Sequence, residues 1–170
     1  MTSKYPKSTV FFHWTIAALV LLAYFSINLR GPRGSAAQVF WSGIHFWAGT
    51  LVLLLSVLRF GWRAPARART VETSRLLRGL ASLVHVLLYV FTLVQPVLGI
   101  LNLNLGGHPV HLSGIGVSFR LVGANAALRP LVHGLHIYLG IAFYAVIGLH
   151  AAAALWHHFA RGDDTLRRML

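Results

Sequence analysis

Residues 131–159 read LVHGLHIYLGIAFYAVIGLHAAAALWHHF. The stretch holds no Asp, Glu, Lys or Arg and exceeds the roughly 20 apolar residues that cross a hydrocarbon core as a helix. It also holds His136 and His150, fourteen positions apart. At 3.6 residues per turn that is just under four turns, which puts both imidazoles on one helix face about 21 Å apart along the axis. A polar ring in hydrocarbon is costly and must be satisfied, so an intramembrane histidine is read first as a functional group. One such helix can serve two stacked sites, one toward each membrane face.

Three further apolar stretches, 8–29, 39–60 and 79–101, are also of spanning length. The chain of 170 residues is therefore expected to be all-α, an integral membrane four-helix bundle forming a single domain over residues 1–170. Composition agrees: 56% of residues are apolar, mean hydropathy is +0.67, and the only acids are Glu72, Asp163 and Asp164. A soluble domain needs more polar surface than that. The first stretch is too long for a signal-peptide core and carries His13 and Trp14 near its start, so no cleavable leader is expected. Cysteine is absent, which excludes disulfides, iron–sulfur clusters and thiolate ligation of haem.

Basic residues set the orientation. Lys4 and Lys7 precede the first stretch, Arg59, Arg63, Arg67, Arg69, Arg75 and Arg78 lie around the second connection, and Arg161, Arg167 and Arg168 follow the last stretch. The other two connections carry only Arg30 and Arg33, then Arg120 and Arg129. Eleven of the fifteen Lys and Arg residues thus lie on one side, which puts both termini in the cytoplasm by the positive-inside rule. Although the sequence pI is about 11.7, the charges are divided among short loops, and nucleic acid is not an expected partner; membrane lipid is.

Depth pairs the histidines. His45 lies one to two turns inside the outer end of the second stretch, level with His136, and His13 lies about as far inside the inner end of the first, level with His150. One turn after each stands a small residue: Ala17, Gly49, Gly140 and Ala154. A porphyrin lying along a helix face needs that clearance, as close helix contacts do. His85, His133 and His157 are followed at the same spacing by Tyr89, Ile137 and Arg161, and His158 by Gly162 at the helix end. The pattern points to two b-type haems, with His45 and His136 on the outer iron and His13 and His150 on the inner. Bis-histidine ligation leaves no open position on iron, so the chemistry expected is electron transfer.

Each reading has a bland competitor. A single membrane histidine can simply bond a neighbouring carbonyl, and only the agreement of four in depth, face and small neighbours favours cofactor binding. Zinc sites recruit carboxylates or thiolates, and proton-coupled transporters keep an intramembrane acid; the spans contain neither. His108 and His111 fall in the Gly-rich connection 102–130, where solvated loop histidines are expected. That connection is long enough to cap the periplasmic mouth, whereas the first, residues 30–38, is too short for a domain. Trp14, Trp41, Trp47, Trp62 and Trp156 read as an interfacial aromatic belt.

Lys4-Tyr5 with Phe12-His13-Trp14, the run Ile147-Gly148-Leu149-His150-Ala151-Ala152-Ala153-Ala154-Leu155, and the ending His157-His158-Phe159 with Asp164-Thr165-Leu166-Arg167-Arg168-Met169 resemble bacterial cytochrome b561. The resemblance spans essentially the whole chain. It implies a bacterial inner-membrane protein with two haems b, the outer held from helices two and four and the inner from helices one and four. His45/His136 and His13/His150 occupy the matching positions.

Stand-alone members are similar to superoxide oxidase, so the resemblance further implies oxidation of superoxide at the periplasmic face and reduction of ubiquinone. Arg30, Arg33, Arg120 and Arg129, with no acid in the same connections, would give an arriving anion a positive field, or would hold haem propionates or lipid phosphates. His85 and His158 are the expected polar partners of a quinone near the inner haem, with His157 close by. The alternative is a membrane anchor and electron conduit for a separate dehydrogenase or other redox partner. A haem-free bundle is a third reading.

Overall fold

The computed structural model describes residues 4–63 and 74–170. Of the residues singled out above, Arg67, Arg69 and Glu72 lie outside the described residues, as do the side chains of Trp62 and Arg63. Four long helices carry the chain: α1 Lys7–Asn28, α2 Ala36–Arg63, α3 Arg75–Leu105 and α4 Arg129–Phe159. All four are apolar and long enough to cross a membrane, giving the expected four-helix transmembrane bundle. Most large apolar side chains point outward, among them Phe11, Val39, Leu76 and Phe159, as a lipid-facing surface requires.

The connection between α3 and α4 differs from a plain Gly-rich loop. α3 runs four residues past position 101, and residues 110–119 form a hairpin of β1 Val110–Leu112 and β2 Val117–Phe119, paired Val110↔Phe119 and Leu112↔Val117. Gly114 and Gly116 turn the chain at φ +94° and +65°, a region that side-chain-bearing residues avoid. Asn104 sits in the extension of α3. It is fully buried, its amide donates to the His108 carbonyl at 3.0 Å and its oxygen accepts the Leu121 amide at 2.7 Å, so one side chain ties the helix end to both sides of the hairpin. Val110 and Leu112 then bury against Ile100 with Trp47 at their edge, and the Trp47 indole donates to the Ser113 carbonyl at 2.9 Å. The hairpin caps one end of the bundle.

Helices pack in chain order, α1 on α2, α2 on α3 and α3 on α4. α1 and α4 do not close on each other along their lengths. Side chains bridge that seam: the Tyr24 hydroxyl donates to the Gly140 carbonyl at 2.7 Å, and the Tyr24 and Tyr144 rings lie 4.2 Å apart.

At the opposite end from the hairpin, the last residues form a strap. Gly162, at φ +63°, turns the chain out of α4, and a short 3-10 turn, Arg167–Met169, ends it. His157 Nδ1 donates to the Asp163 carboxylate at 2.5 Å, whose other oxygen accepts the Thr165 amide at 2.9 Å. The Trp14 indole donates to the Met169 carbonyl at 2.6 Å, and the Tyr5 amide to the Arg168 carbonyl at 3.3 Å. The strap therefore runs from the end of α4 to the start of α1. Charge counting treats this segment only as a topology signal.

Burial alone would raise the Asp163 carboxyl, but the hydrogen bonds from His157 and Thr165 outweigh it and hold it at about 2, below its ordinary 3.8. A depressed carboxyl stabilises the fold above its unfolded value and loses that contribution as pH falls through its folded value. Wild type should therefore have a higher Tm than Asp163→Asn at neutral pH, and the gap should close between about pH 4 and pH 2. Thermal unfolding of both proteins in detergent across that range checks it; a gap unchanged at about pH 2 would show that the carboxylate charge contributes nothing.

Candidate functional site: two histidine pairs

α2 and α4 bring His45 and His136 together near the hairpin end, ring centres 6.3 Å apart. α1 and α4 bring His13 and His150 together near the end that carries both termini, ring centres 6.1 Å apart. Two imidazoles bound to one metal from opposite sides, with metal–nitrogen bonds of about 2.0 Å, stand with ring centres roughly 6 Å apart. Both pairs have that spacing. Among the described residues no group of three or more His, Asp or Glu side chains is placed to hold a metal ion by itself.

The ring nitrogens are also assigned. His45 Nδ1 lies 2.9 Å from the Ala23 carbonyl of α1, and His136 Nδ1 lies 3.2 Å from the Gln95 carbonyl of α3. A carbonyl can only accept, so Nδ1 carries the proton in each ring and Nε2 keeps its lone pair for a metal. That is the orienting bond that metal-bound histidines usually make. The residues thus fit the axial ligation of a haem at this level.

Gln95 and His136 form a reciprocal lock. While His136 Nδ1 donates to the Gln95 carbonyl, the Gln95 amide donates to the His136 carbonyl at 2.6 Å. Each partner has a glycine one turn on. A Cβ on Gly99 would stand 3.1 Å from His136 Cε1, and one on Gly140 would stand 3.1 Å from Gln95 Nε2. Gly140 therefore makes room for Gln95, in addition to any clearance its spacing suggests. At Gly49 a Cβ would meet nothing within 4 Å, which leaves open space beside His45. Midway between the two levels Phe143, only 3% exposed, stacks on Phe91 at 3.5 Å and fills the interior.

The remaining candidates spread over the two ends. His85 of α3 lies against His150, ring centres 5.4 Å apart, so it adjoins the pair at the terminal end. The Arg59 guanidinium covers the Tyr89 ring at 5.6 Å, and its charge reaches His150. His158 is half-buried and its Nδ1 has no hydrogen-bond partner, whereas His157 is held by Asp163. His133, His108 and His111 are exposed.

At the hairpin end Arg30 lies near enough for its charge to reach His45, and Arg33 is exposed. Arg120 donates to the Gly107 carbonyl at 2.7 Å, and a Cβ on Gly106 would come within 2.9 Å of the Arg129 guanidinium. Both cations therefore sit at the C-terminal end of α3, where the helix dipole favours positive charge.

Sequence reading missed Gln95, Gly99, Arg59 and Phe143. Gln95 was findable, as an uncharged amide in mid-span is itself expensive and calls for a partner. Gly99→Ala should cost about 1–3 kcal/mol of stability, since its Cβ must push the His136 ring aside. Gly79→Ala, with nothing within 4 Å, serves as the control and should cost nothing. Equal unfolding free energies for the two variants would contradict the lock.

A family model described as prokaryotic cytochrome b561 matches residues 4–170. Among curated proteins, the chain is 33% identical to a probable superoxide oxidase, CybB, of Yersinia pestis, over 100% of this chain and 97% of that one. It is 29% identical to cytochrome b561 homolog 1 of Escherichia coli (strain K12), over 99% and 97%, and 27% identical to homolog 2 of the same organism, over 98% and 91%. With the match running along the whole bundle and through both histidine pairs, this chain belongs to the prokaryotic cytochrome b561 family of haem-b-binding membrane electron-transfer proteins.

Proposed function

We propose that the chain works as one membrane unit over residues 1–170, with both termini in the cytoplasm, and that it oxidises superoxide at the periplasmic face and reduces ubiquinone. The observation that carries the haem assignment is the repeated 6.1–6.3 Å spacing of the two imidazole pairs. In this reading His45 and His136 hold the periplasmic haem b, and His13 and His150 the cytoplasmic one. When bound by these histidines, haem b would supply one-electron transfer. The superoxide assignment is drawn from the Yersinia pestis relative, whose printed name is probable superoxide oxidase.

The protein's own residues have three tasks. Ala23 and Gln95 hold the proton on Nδ1 of the two periplasmic ligands, which keeps Nε2 basic. Arg30, Arg33, Arg120 and Arg129 give the hairpin end a positive field that raises the local concentration of a small anion. His85, which lies against His150, and His158, on the last turn of α4 with its Nδ1 unpartnered, bond a quinone carbonyl and pass protons to it.

The purified protein should bind two low-spin haems b per chain. Alanine at His45 or His136 should remove one of them, and alanine at His13 or His150 the other, as read by optical and electron paramagnetic resonance spectra. A single haem, or a high-spin signal in the native protein, would refute the assignment.

Superoxide should reduce the haems, and sustained consumption should require quinone. The rate should fall as salt screens the outer arginines over about 8–10 Å, and fall again as they are neutralised in turn. Alanine at His85 or His158 should slow reoxidation by quinone with both haems retained. If superoxide reduces neither haem in a fully loaded protein, a partner-dependent conduit replaces the enzyme reading.

A further inference from the structure

The two histidine pairs join different helices. At the hairpin end, α2 and α4 are joined through α3, which packs on both, and His45 and His136 are each bonded to a carbonyl of a neighbouring helix. The other pair joins α1 and α4, the two helices that do not close on each other. A shared metal needs its two imidazoles at one fixed separation, and the Tyr24 bridge of that seam lies at Gly140, ten residues before His150, so what ties the terminal ends of the two helices bears directly on this pair.

The strap reaches both of them. On α4 it is fastened at His157, seven residues beyond His150 and so two turns along the same face. On α1 it is fastened at Trp14, the residue after His13, whose indole packs edge-on against the His13 ring at 5.3 Å. The Tyr5 amide adds a second attachment ahead of α1. Each half of the pair therefore has a strap anchor within two turns, and the segment between the anchors is short and internally bonded through Asp163 to Thr165.

We propose that the C-terminal strap, fastened by the His157–Asp163 and Trp14–Met169 bonds, is a positioning element that sets the separation of His13 and His150 and so the binding of the haem they hold. This rests on the ligand assignment of the preceding section. Asp163 and Trp14 are positioning residues and touch no reacting atom.

The test uses full-length holoprotein carrying Asp163→Ala, or Trp14→Phe, which keeps an aromatic ring but loses the indole N–H. Removing an orienting partner typically costs 10- to 100-fold in affinity for the bound metal group. Each variant should therefore lose the His13/His150 haem about 10-fold more readily on dilution, or show a shifted low-spin signal and midpoint potential for it, with the His45/His136 haem unchanged as the internal control. Asp163→Glu should restore the wild-type signal. Equal effects on both haems would show a general stability role and overturn the proposal, as would wild-type signals from both variants. His13→Ala and His150→Ala run alongside: if they keep two haems, the ligand assignment has failed, and not the strap.

Discussion

An imidazole held in hydrocarbon must find a partner or lose several kcal/mol, and that constraint organises the hairpin end of this bundle. His45 on α2 bonds to α1 and His136 on α4 bonds to α3, while the two rings face each other at the separation that a shared metal demands. One pair of side chains thus stitches all four helices. Lipid offers no hydrophobic drive for helix association, so such bonds and close packing must hold the bundle together. The glycines of the α3–α4 interface follow from it, because Gly99 and Gly140 are where the ring and the amide of the lock pass.

The terminal end meets the same requirement by other means. α1 and α4 do not pack closely along their lengths. Polar chemistry gathers there instead: His85 against His150, Arg59 over Tyr89, His158 half-buried, and the strap closing the helix ends. The hairpin end is the reverse case, with Asn104 and the Val110–Leu112 strand sealing the bundle beneath the exposed arginines.

Much was legible in the chain alone. Length and hydropathy set four spanning helices, charge asymmetry suggested an orientation, and helical periodicity placed His136 and His150 on one face two sites apart. Depth matching pointed to His45 and His13 as their partners, which are the rings the fold brings to 6.3 and 6.1 Å. All of this is one-dimensional: it depends on position along a helix whose rise and pitch are known in advance.

Only the tertiary structure decided which neighbour each small residue serves. That Gly140 stands beside Gln95 is not visible in its spacing, because spacing reports a face and not what stands opposite. The hairpin in the last connection, the strap from His157 to Trp14 and the open α1–α4 seam were equally hidden. Each joins residues far apart in sequence: Trp14 and Met169 stand 155 positions apart. Local propensity and hydropathy carry no information about pairings at that range. They arise when the bundle forms and its leftover donors and carbonyls must find one another.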